Sequence, residues 1–428
     1  MDIKQLHDLF LKCKSVTTDT RTIAPQSIFF ALKGDKFDAN TFAFEALQKG
    51  ASYVVIDNPN YVIDHRTILV DNCLVTLQKL AQYHRNYLKI PIIALTGSNG
   101  KTTTKELIQV VLAKKFNTKA TKGNLNNHIG VPLTLLTFDK TTEIGIVEMG
   151  ANHQKEIEFL CTIAQPDYGY ITNFGKAHLE GFGGVEGVIK GKSEMYEYLQ
   201  KSSKLVFVNL EDEIQIEKTK SIEHYTFGIN KKEADVNIMS IEAKPLVKIN
   251  YNNTEIQSQL IGLYNANNIN AAVAIGTYFK VALTDIKHAL ENYIPENNRS
   301  QLLTIGSNKI ILDAYNANPS SMKVAIANFI QLQDPNKILI LGDMFELGEE
   351  SAQEHKIIVE SLQNEPNIIC YFVGADFKTQ QTAKPNLFFY ESFEEFAKAL
   401  AEVRFNNNSI LIKGSRGMAL ERTTTYIK

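Results

Sequence analysis

Leu95-Thr96-Gly97-Ser98-Asn99-Gly100-Lys101-Thr102-Thr103-Thr104 is the stretch whose reading decides this chain. It follows an apolar run, Ile90 to Leu95, with the composition of a buried strand. It leads into Lys105 to Phe116, where Leu107, Val110, Val111 and Lys114 keep helical spacing. A glycine-bounded turn between a strand and a helix aims its backbone N–H groups, and the positive end of the helix dipole, at an anion. Lys101 adds a point charge for outer phosphates, and the Thr102 hydroxyl can hold a magnesium ion. Together these features predict an enzyme that uses a nucleoside triphosphate, cradled by Gly97, Ser98, Asn99, Gly100, Lys101, Thr102 and Thr103. The usual G-x-x-x-x-G-K-S/T pattern would place a glycine at position 95, where this chain has Leu95. The strand before, the helix after and the three threonines carry the reading instead.

The bulk numbers bound the rest. At 428 residues the chain should form about three domains of ~150 residues each. Hydrophobic residues make up 44% and charged residues 21%, ordinary for a globular protein. A formal charge of -2 argues against nucleic acid or an anionic membrane as the main partner. Cys13, Cys73, Cys161 and Cys370 are scattered and form no C-x-x-C pair, so neither a metal cluster nor a disulfide framework is expected. Met1 to Lys14 lacks the apolar core of a signal peptide, and no apolar run reaches the ~18 residues of a membrane span. A reducing cytoplasm is the expected location, and a monomer the expected state.

Residues 1–88 hold short strand-like runs (Ser27 to Leu32, Ser52 to Ile56, Thr67 to Val70) and helical ones (Thr41 to Lys49, Val75 to Tyr87), predicting a small α/β domain. From 89 to 298 strands and helices alternate. Glu143 to Glu148, Tyr168 to Thr172 and Lys204 to Leu210 read as strands. His153 to Ala164 and Val185 to Gln200 read as helices. That alternation implies a mostly parallel sheet with helices on both faces. Additional short strands are expected between 222 and 262, then helices over Asn265 to Phe279 and Thr284 to Tyr293. Ile294 to Arg299 is polar and proline-bearing and reads as a linker. A second α/β series fills 299–428, with strands over Lys309 to Leu312, Lys337 to Leu341, Ile368 to Val373 and Ser409 to Lys413. The fold class is therefore α/β in three parts, with the last expected to be Rossmann-like. In open α/β sheets ligands sit beyond the carboxyl ends of the strands. Ser98 to Thr102, Glu148, Asn173, Asp313, Asp343 and Lys413 all fall at such ends. Two such sheets joined by a linker suggest a cleft with nucleotide on one wall and the other wall closing over it.

Several segments admit both a chemical and a plain reading. Gly123 to Thr134, with Asn124, Asn126 and Asn127, is either an amide-lined substrate loop or a loop capped by its asparagines. Glu148 could bind the magnesium held by Thr102, or simply end a strand. His178 sits in the glycine-rich run Thr172 to Gly184. Lys190 and Lys192 read, on spacing alone, as the wet face of a helix. Asp313 to Pro319 can be explained by capping. Gly342 to Gly348 and Lys413 to Gly417 can be explained as turns.

Taken together these segments resemble the Mur ligase superfamily along essentially the whole chain. Thr96 to Glu106 is similar to its T-G-S-x-G-K-T-T-T-K-E loop. Gly123 to Thr134 resembles G-N-x-N-N-x-I-G-x-P-L-T, Val147 to Gly150 resembles V-E-M-G, and Ala177 to Gly183 resembles A-H-L-E-G-F-G. Tyr315 to Pro319 (Y-N-A-N-P), Leu341 to Gly348 (L-G-D-M-x-E-L-G) and Lys413 to Arg416 point to the branch that joins D-Ala-D-Ala to a UDP-N-acetylmuramoyl-tripeptide with ATP. The nearest rivals are other amide ligases of the superfamily, or a P-loop module without acyl transfer. The resemblance implies a UDP-binding N-terminal domain with Asp19-Thr20-Arg21 matching D-S-R. Ala39 and Asn40 stand where its G-x-x-x-D-G-H-x-F stretch has Gly and His. It further implies magnesium on Glu148 and His178, a carbamoylated Lys192, adenosine contacts from Asn265 and Asn316, and Arg299 reaching the phosphates. Lys101, His178 and Lys192 would be the catalytic groups.

Overall fold

A computed structural model describes residues 1–296 and 298–427. Asn297, inside the expected linker, and Lys428 lie outside the described residues. Among the described residues three large open sheets succeed one another along the chain, as the alternation predicts, with a two-stranded ribbon, Lys33–Gly34 against Phe37–Asp38, in the first part. The first sheet is wholly parallel, ordered Ser15–Thr17, Ser27–Phe30, Tyr53–Ile56, Thr67–Leu69. The second has nine strands. Across it run Thr254–Ile261, Leu246–Tyr251, Val236–Ala243, His224–Ile229, Leu205–Asn209, Tyr168–Ile171, Ile92–Thr96, Ile144–Glu148 and Thr118–Ala120. Only its first three strands pair antiparallel. The third, of six strands, is parallel except for its edge hairpin Gln301–Ile305 with Asn308–Asp313.

The burial patterns follow the layering. Ile92–Thr96, Ile144–Glu148 and Leu205–Asn209 are buried at every residue, because helices cover both faces of a parallel sheet. Leu246–Tyr251 instead alternates half-buried with buried, the period of a strand with one face in the core. Helices Lys101–Leu112 and Tyr264–Tyr278 pack on one face of the central sheet, where Leu107, Ile108 and Val111 meet Ala271, Ala272 and Ile275. On the other face Ile157, Leu160, Met195 and Leu199 come from helices Glu156–Ala164 and Val185–Lys201.

Some boundaries differ from the sequence reading for identifiable reasons. The phosphate-loop helix begins at Lys101, four residues before the expected Lys105, because Gly100 adopts φ 78° and turns the chain directly into the first helical turn. Helix Ile3–Phe10 and strands Gln301–Ile305 and Leu387–Tyr390 were not anticipated. The first carried a signal, since Asp2 and Gln5 form a reciprocal capping box.

Helix Ile3–Phe10 is tied to the central domain through two buried histidines. His7 Nε2 donates to His84 Nδ1 at 2.9 Å, and His84 Nε2 donates to the Phe138 carbonyl at 2.9 Å. Tyr83, Tyr87 and Phe10 pack around the pair. Burial, then the neighbouring His84, lowers the His7 imidazole to about 4, against Asp8. Its folded pKa lies below the unfolded value of ~6.5, so folding favours the neutral ring. The stabilisation is complete above about pH 6.5 and is lost as pH falls toward about 4. The urea midpoint should therefore drop between pH 7.5 and 5, and drop less in His7→Gln. Equal pH dependence in both proteins would contradict this.

Candidate active site

Register places the site. In strand Ile92–Thr96, Leu95 lies opposite Glu148 and Thr96 opposite Ile171. Three neighbouring carboxyl ends thus deliver Gly97 to Lys101, Glu148 to Asn152 and Thr172 to His178 to one edge of the sheet, where its strand order changes direction. Gly97 has φ 140°, and a Cβ there would lie 2.0 Å from Thr172 Oγ1. Only glycine lets the two loops approach this closely. Hydrogen bonds then fasten them. Ser98 N donates to Asn173 O at 3.1 Å, Asn99 N to Asn173 Oδ1 at 3.1 Å, and Ser98 Oγ to Gly175 O at 2.7 Å. Lys101 Nζ folds back on the loop, donating to Gly97 O at 2.6 Å, and burial lowers its pKa.

Glu148 is the most constrained acid of the site. It is 1% exposed. Its N–H donates to Thr121 Oγ1 at 2.9 Å, and its Oε1 accepts from Asn126 Nδ2 at 2.8 Å. Lys105 Nζ holds Thr121 in turn, donating to its carbonyl at 2.7 Å. Among the described residues the buried Glu148 Oε2 has no hydrogen-bond partner. An orphaned carboxylate oxygen is costly to bury, and this one lines the same cavity as Thr102. The pair therefore fits a hard divalent cation such as magnesium. Among the described residues no three His, Cys, Asp or Glu side chains converge on one point, so any cation must also draw on hydroxyl, water or ligand oxygens.

The cavity has a volume of about 1270 Å³ and is lined from both sides. From the C-terminal sheet come Asp313, Asn316 and Lys413, whose Nζ donates to Asp313 Oδ2 at 2.6 Å and to Asn316 O at 3.3 Å. The Arg299 guanidinium stacks 3.6 Å above the Tyr315 ring. Asn318 Nδ2 donates to Asn99 Oδ1 of the phosphate loop at 2.7 Å, so the two walls touch. His178 lines the cavity and hydrogen-bonds Glu346 of the C-terminal domain. That contact lowers the pKa of Glu346. Asn265 also lines it, bonded to Ile261 O and to Asn268.

Asn124, Asn126 and Asn127 all line the cavity; Asn127 also caps the following turn, accepting from Ile129 N and Gly130 N, and Asn126 donates to Glu148. Lys190 is exposed, as a wet-face lysine should be, but Lys192 is 1% exposed and corrects that reading. Its Nζ lies 3.2 Å from Ala151 O and 5.0 Å from the Phe182 ring centre. Burial, then the Lys101 charge, holds its pKa well below the ordinary lysine value. Lys192 does not line the cavity. Thr20 and Arg21 are also outside it, with Arg21 paired to Asp19 on the surface of the N-terminal domain. Asn40 is fully buried and committed to Asp38 and Asp57, which explains how it replaces the usual histidine without a free polar group.

Sequence reading missed Thr121, Asn268 and Ser320. Asn268 accepts from Thr104 Oγ1 at 3.0 Å and bonds Asn265, three residues earlier on one helix face. That spacing was the available signal. Ser320 Oγ accepts from Lys176 N at 2.9 Å across the domain boundary, which no local pattern encodes.

Residues 95–276 match the Mur ligase middle domain, and residues 298–416 match the domain described as Mur ligase, glutamate ligase domain. The UDP-N-acetylmuramoyl-tripeptide–D-alanyl-D-alanine ligase of Bacillus subtilis is 35% identical over 420 residues, spanning 95% of this chain and 91% of that protein. The chain belongs to the Mur ligase family. The Escherichia coli ligase of the same name is 31% identical over 97% of this chain and 93% of its own. A crystal structure of MurF from Acinetobacter baumannii superposes with a TM-score of 0.87 at 30% identity, covering 99% and 97% of the two chains. MurF from Thermotoga maritima in complex with ADP gives 0.82 at 26%, covering 97% of each. The three-part α/β fold is therefore that of a Mur ligase.

Gly97→Ala tests the loop geometry of this Mur ligase. The new methyl must displace Thr172 and strain a backbone that L-residues avoid by ~1–2 kcal/mol. Calorimetry should show ADP affinity weakened by roughly tenfold or more, with an unchanged circular dichroism spectrum. Wild-type affinity would contradict the geometry.

Proposed function

We infer that this Mur ligase joins D-Ala-D-Ala to UDP-N-acetylmuramoyl-tripeptide, with ATP, in peptidoglycan precursor synthesis. The observation that carries the reading is one cavity holding the phosphate loop, the orphaned Glu148 oxygen and the strand-end groups of a second α/β domain. The relatives and solved structures named above support the substrates. We assign the UDP end to residues 1–88, with Thr20 and Arg21 contributing. ATP belongs to 89–298, and D-Ala-D-Ala binding and closure to 299–428. All groups come from one chain, so a monomer suffices. The cytoplasm, where ATP and the nucleotide-linked precursor occur, is the proposed site of action. Among the described residues no helix is long and apolar enough to cross a membrane.

A carboxylate is a poor acyl donor, so it must be activated. A carboxylate oxygen of the tripeptide attacks the γ-phosphorus, ADP leaves and an acyl phosphate forms. The amine of D-Ala-D-Ala then attacks the acyl carbon, loses a proton and expels phosphate. The protein mainly positions the reactants and neutralises charge. Gly97 to Thr103 present backbone N–H groups to the phosphates, and Lys101 swings from its loop carbonyls to the outer ones. Arg299, held by stacking on Tyr315, faces them from the other wall, while Asn265 and Asn316 contact the adenosine. Magnesium, when bound, would be held by Thr102 and Glu148, with His178 and a carbamate on Lys192, whose unmodified amine lies outside the cavity, as further ligands, and would supply charge neutralisation on the transferred phosphoryl.

Lys192 would serve that role as a carbamate. The neutral amine attacks carbon dioxide, one N–H proton is released, and an uncharged buried side chain becomes an anion with two oxygens. The lowered pKa of Lys192 raises the fraction of amine able to react.

Phosphate release across UDP-muramoyl peptides, with and without D-Ala-D-Ala, tests the substrate assignment. It should require both substrates, and D-Ala-D-Ala-independent turnover would refute it. Lys101→Ala should lose at least about a hundredfold in kcat while staying folded. Lys192→Ala should lose most activity and regain part of it with added acetate or formate. A fully active Lys192→Ala would refute the carbamate.

A further inference from the structure

The segment Asn173 to His178 is held on two sides. Toward the central domain, Ser98 Oγ grips the Gly175 carbonyl at 2.7 Å. Toward the C-terminal domain, Lys176 N donates to Ser320 Oγ at 2.9 Å. The Lys176 side chain then crosses the same boundary, and its Nζ donates to Glu354 Oε1 at 2.6 Å. Glu354 belongs to helix Ser351–Leu362, and its other oxygen accepts from Lys323 of helix Pro319–Ile330 at 3.1 Å. Although its two lysines are half-exposed, the Glu354 side chain is only 3% exposed. A buried carboxylate needs charged partners, and one of its two comes from another domain. Neither Lys176 nor Glu354 lines the cavity.

We propose that Glu354 is a positioning residue for the ligation reaction: through Lys176 it couples seating of the C-terminal domain to placement of the loop that carries Asn173 and His178. The pair is bidirectional. When the C-terminal domain swings away, Glu354 loses a cation and Lys176 its anchor. When it docks, the Lys176 backbone and side chain are both fixed from the far side of the cleft. The adjacent contacts between Asn318 and Asn99, and between Glu346 and His178, are thereby brought into register. The device rests on the ligase reading only for its kinetic readout.

Four variants test it: Lys176→Met, Glu354→Gln, the double variant, and Lys323→Met as a control that touches the same carboxylate within one domain. Because the pair does not line the cavity, the two single variants should lower kcat roughly tenfold while each KM stays within about twofold. The double variant should be no worse than either single, because both remove one coupling. Lys323→Met should stay near wild type, since Glu354 keeps Lys176. Solution scattering of the ADP-saturated protein provides a readout without turnover, and Glu354→Gln should have a larger radius of gyration than wild type. Wild-type kcat in either single variant would overturn the proposal. So would losses that multiply in the double variant, an equal loss in Lys323→Met, or an unchanged radius of gyration. If wild-type protein itself fails to ligate, the ligase reading falls, and the scattering comparison still decides the latch.

Discussion

The parallel register of strand Ile92–Thr96 with its two neighbours is the constraint on which the site depends. Pairing Leu95 with Glu148 and Thr96 with Ile171 ends three strands at one level. The groups that leave those ends cannot then avoid one another. A slip by one residue would turn Glu148 to the opposite face of the sheet. It would also separate Thr172 from the glycine that accommodates it. Gly97 and Gly100 are the price of that closeness, since each stands where a side chain would collide with Thr172 or Asn268.

Around this fixed edge the charges are left incomplete on one side. Lys101 rests on the carbonyls of its own loop, and among the described residues Glu148 keeps one bare oxygen and buried Lys192 has no carboxylate partner. Several other buried charges are ion-paired: Arg85 with Asp167, Lys413 with Asp313 on the facing wall, and Glu354 with two lysines. On the function proposed above, anionic phosphates and a cation complete the electrostatics on the incomplete side. That function also explains why the cavity needs its second wall. In the proposed reaction the C-terminal domain over the cavity would lower the dielectric around these groups, so each interaction with a transferred phosphoryl would be stronger than in water.

Much of this was legible in the sequence, because the decisive groups follow apolar strands directly. The phosphate loop, Glu148, Asp313 and Lys413 could each be placed from the run that precedes it. The start of the loop helix was misjudged because Gly100 both ends the turn and admits the helix, which composition does not reveal. Lys192 was unreadable for a different reason. It shares a polar helix with exposed Lys190, and its burial is created by Ala151 and Phe182, which reach it from other segments. Glu354 likewise reads as an ordinary helix-surface acid until Lys176, far away in sequence, is folded over it. Periodicity reports which face an element buries locally. It does not report which domain will cover the other face.

In the proposed reaction the cavity activates a carboxylate by moving the γ-phosphoryl group onto it before the amine attacks. Isotope transfer tests this most directly. The UDP-N-acetylmuramoyl-tripeptide would be labelled with ¹⁸O in its terminal carboxylate and turned over with ATP and D-Ala-D-Ala, and the released phosphate analysed by mass spectrometry. One labelled oxygen is expected in the phosphate, because the oxygen that attacked phosphorus leaves with it when the amide forms. Released phosphate without the label would contradict it.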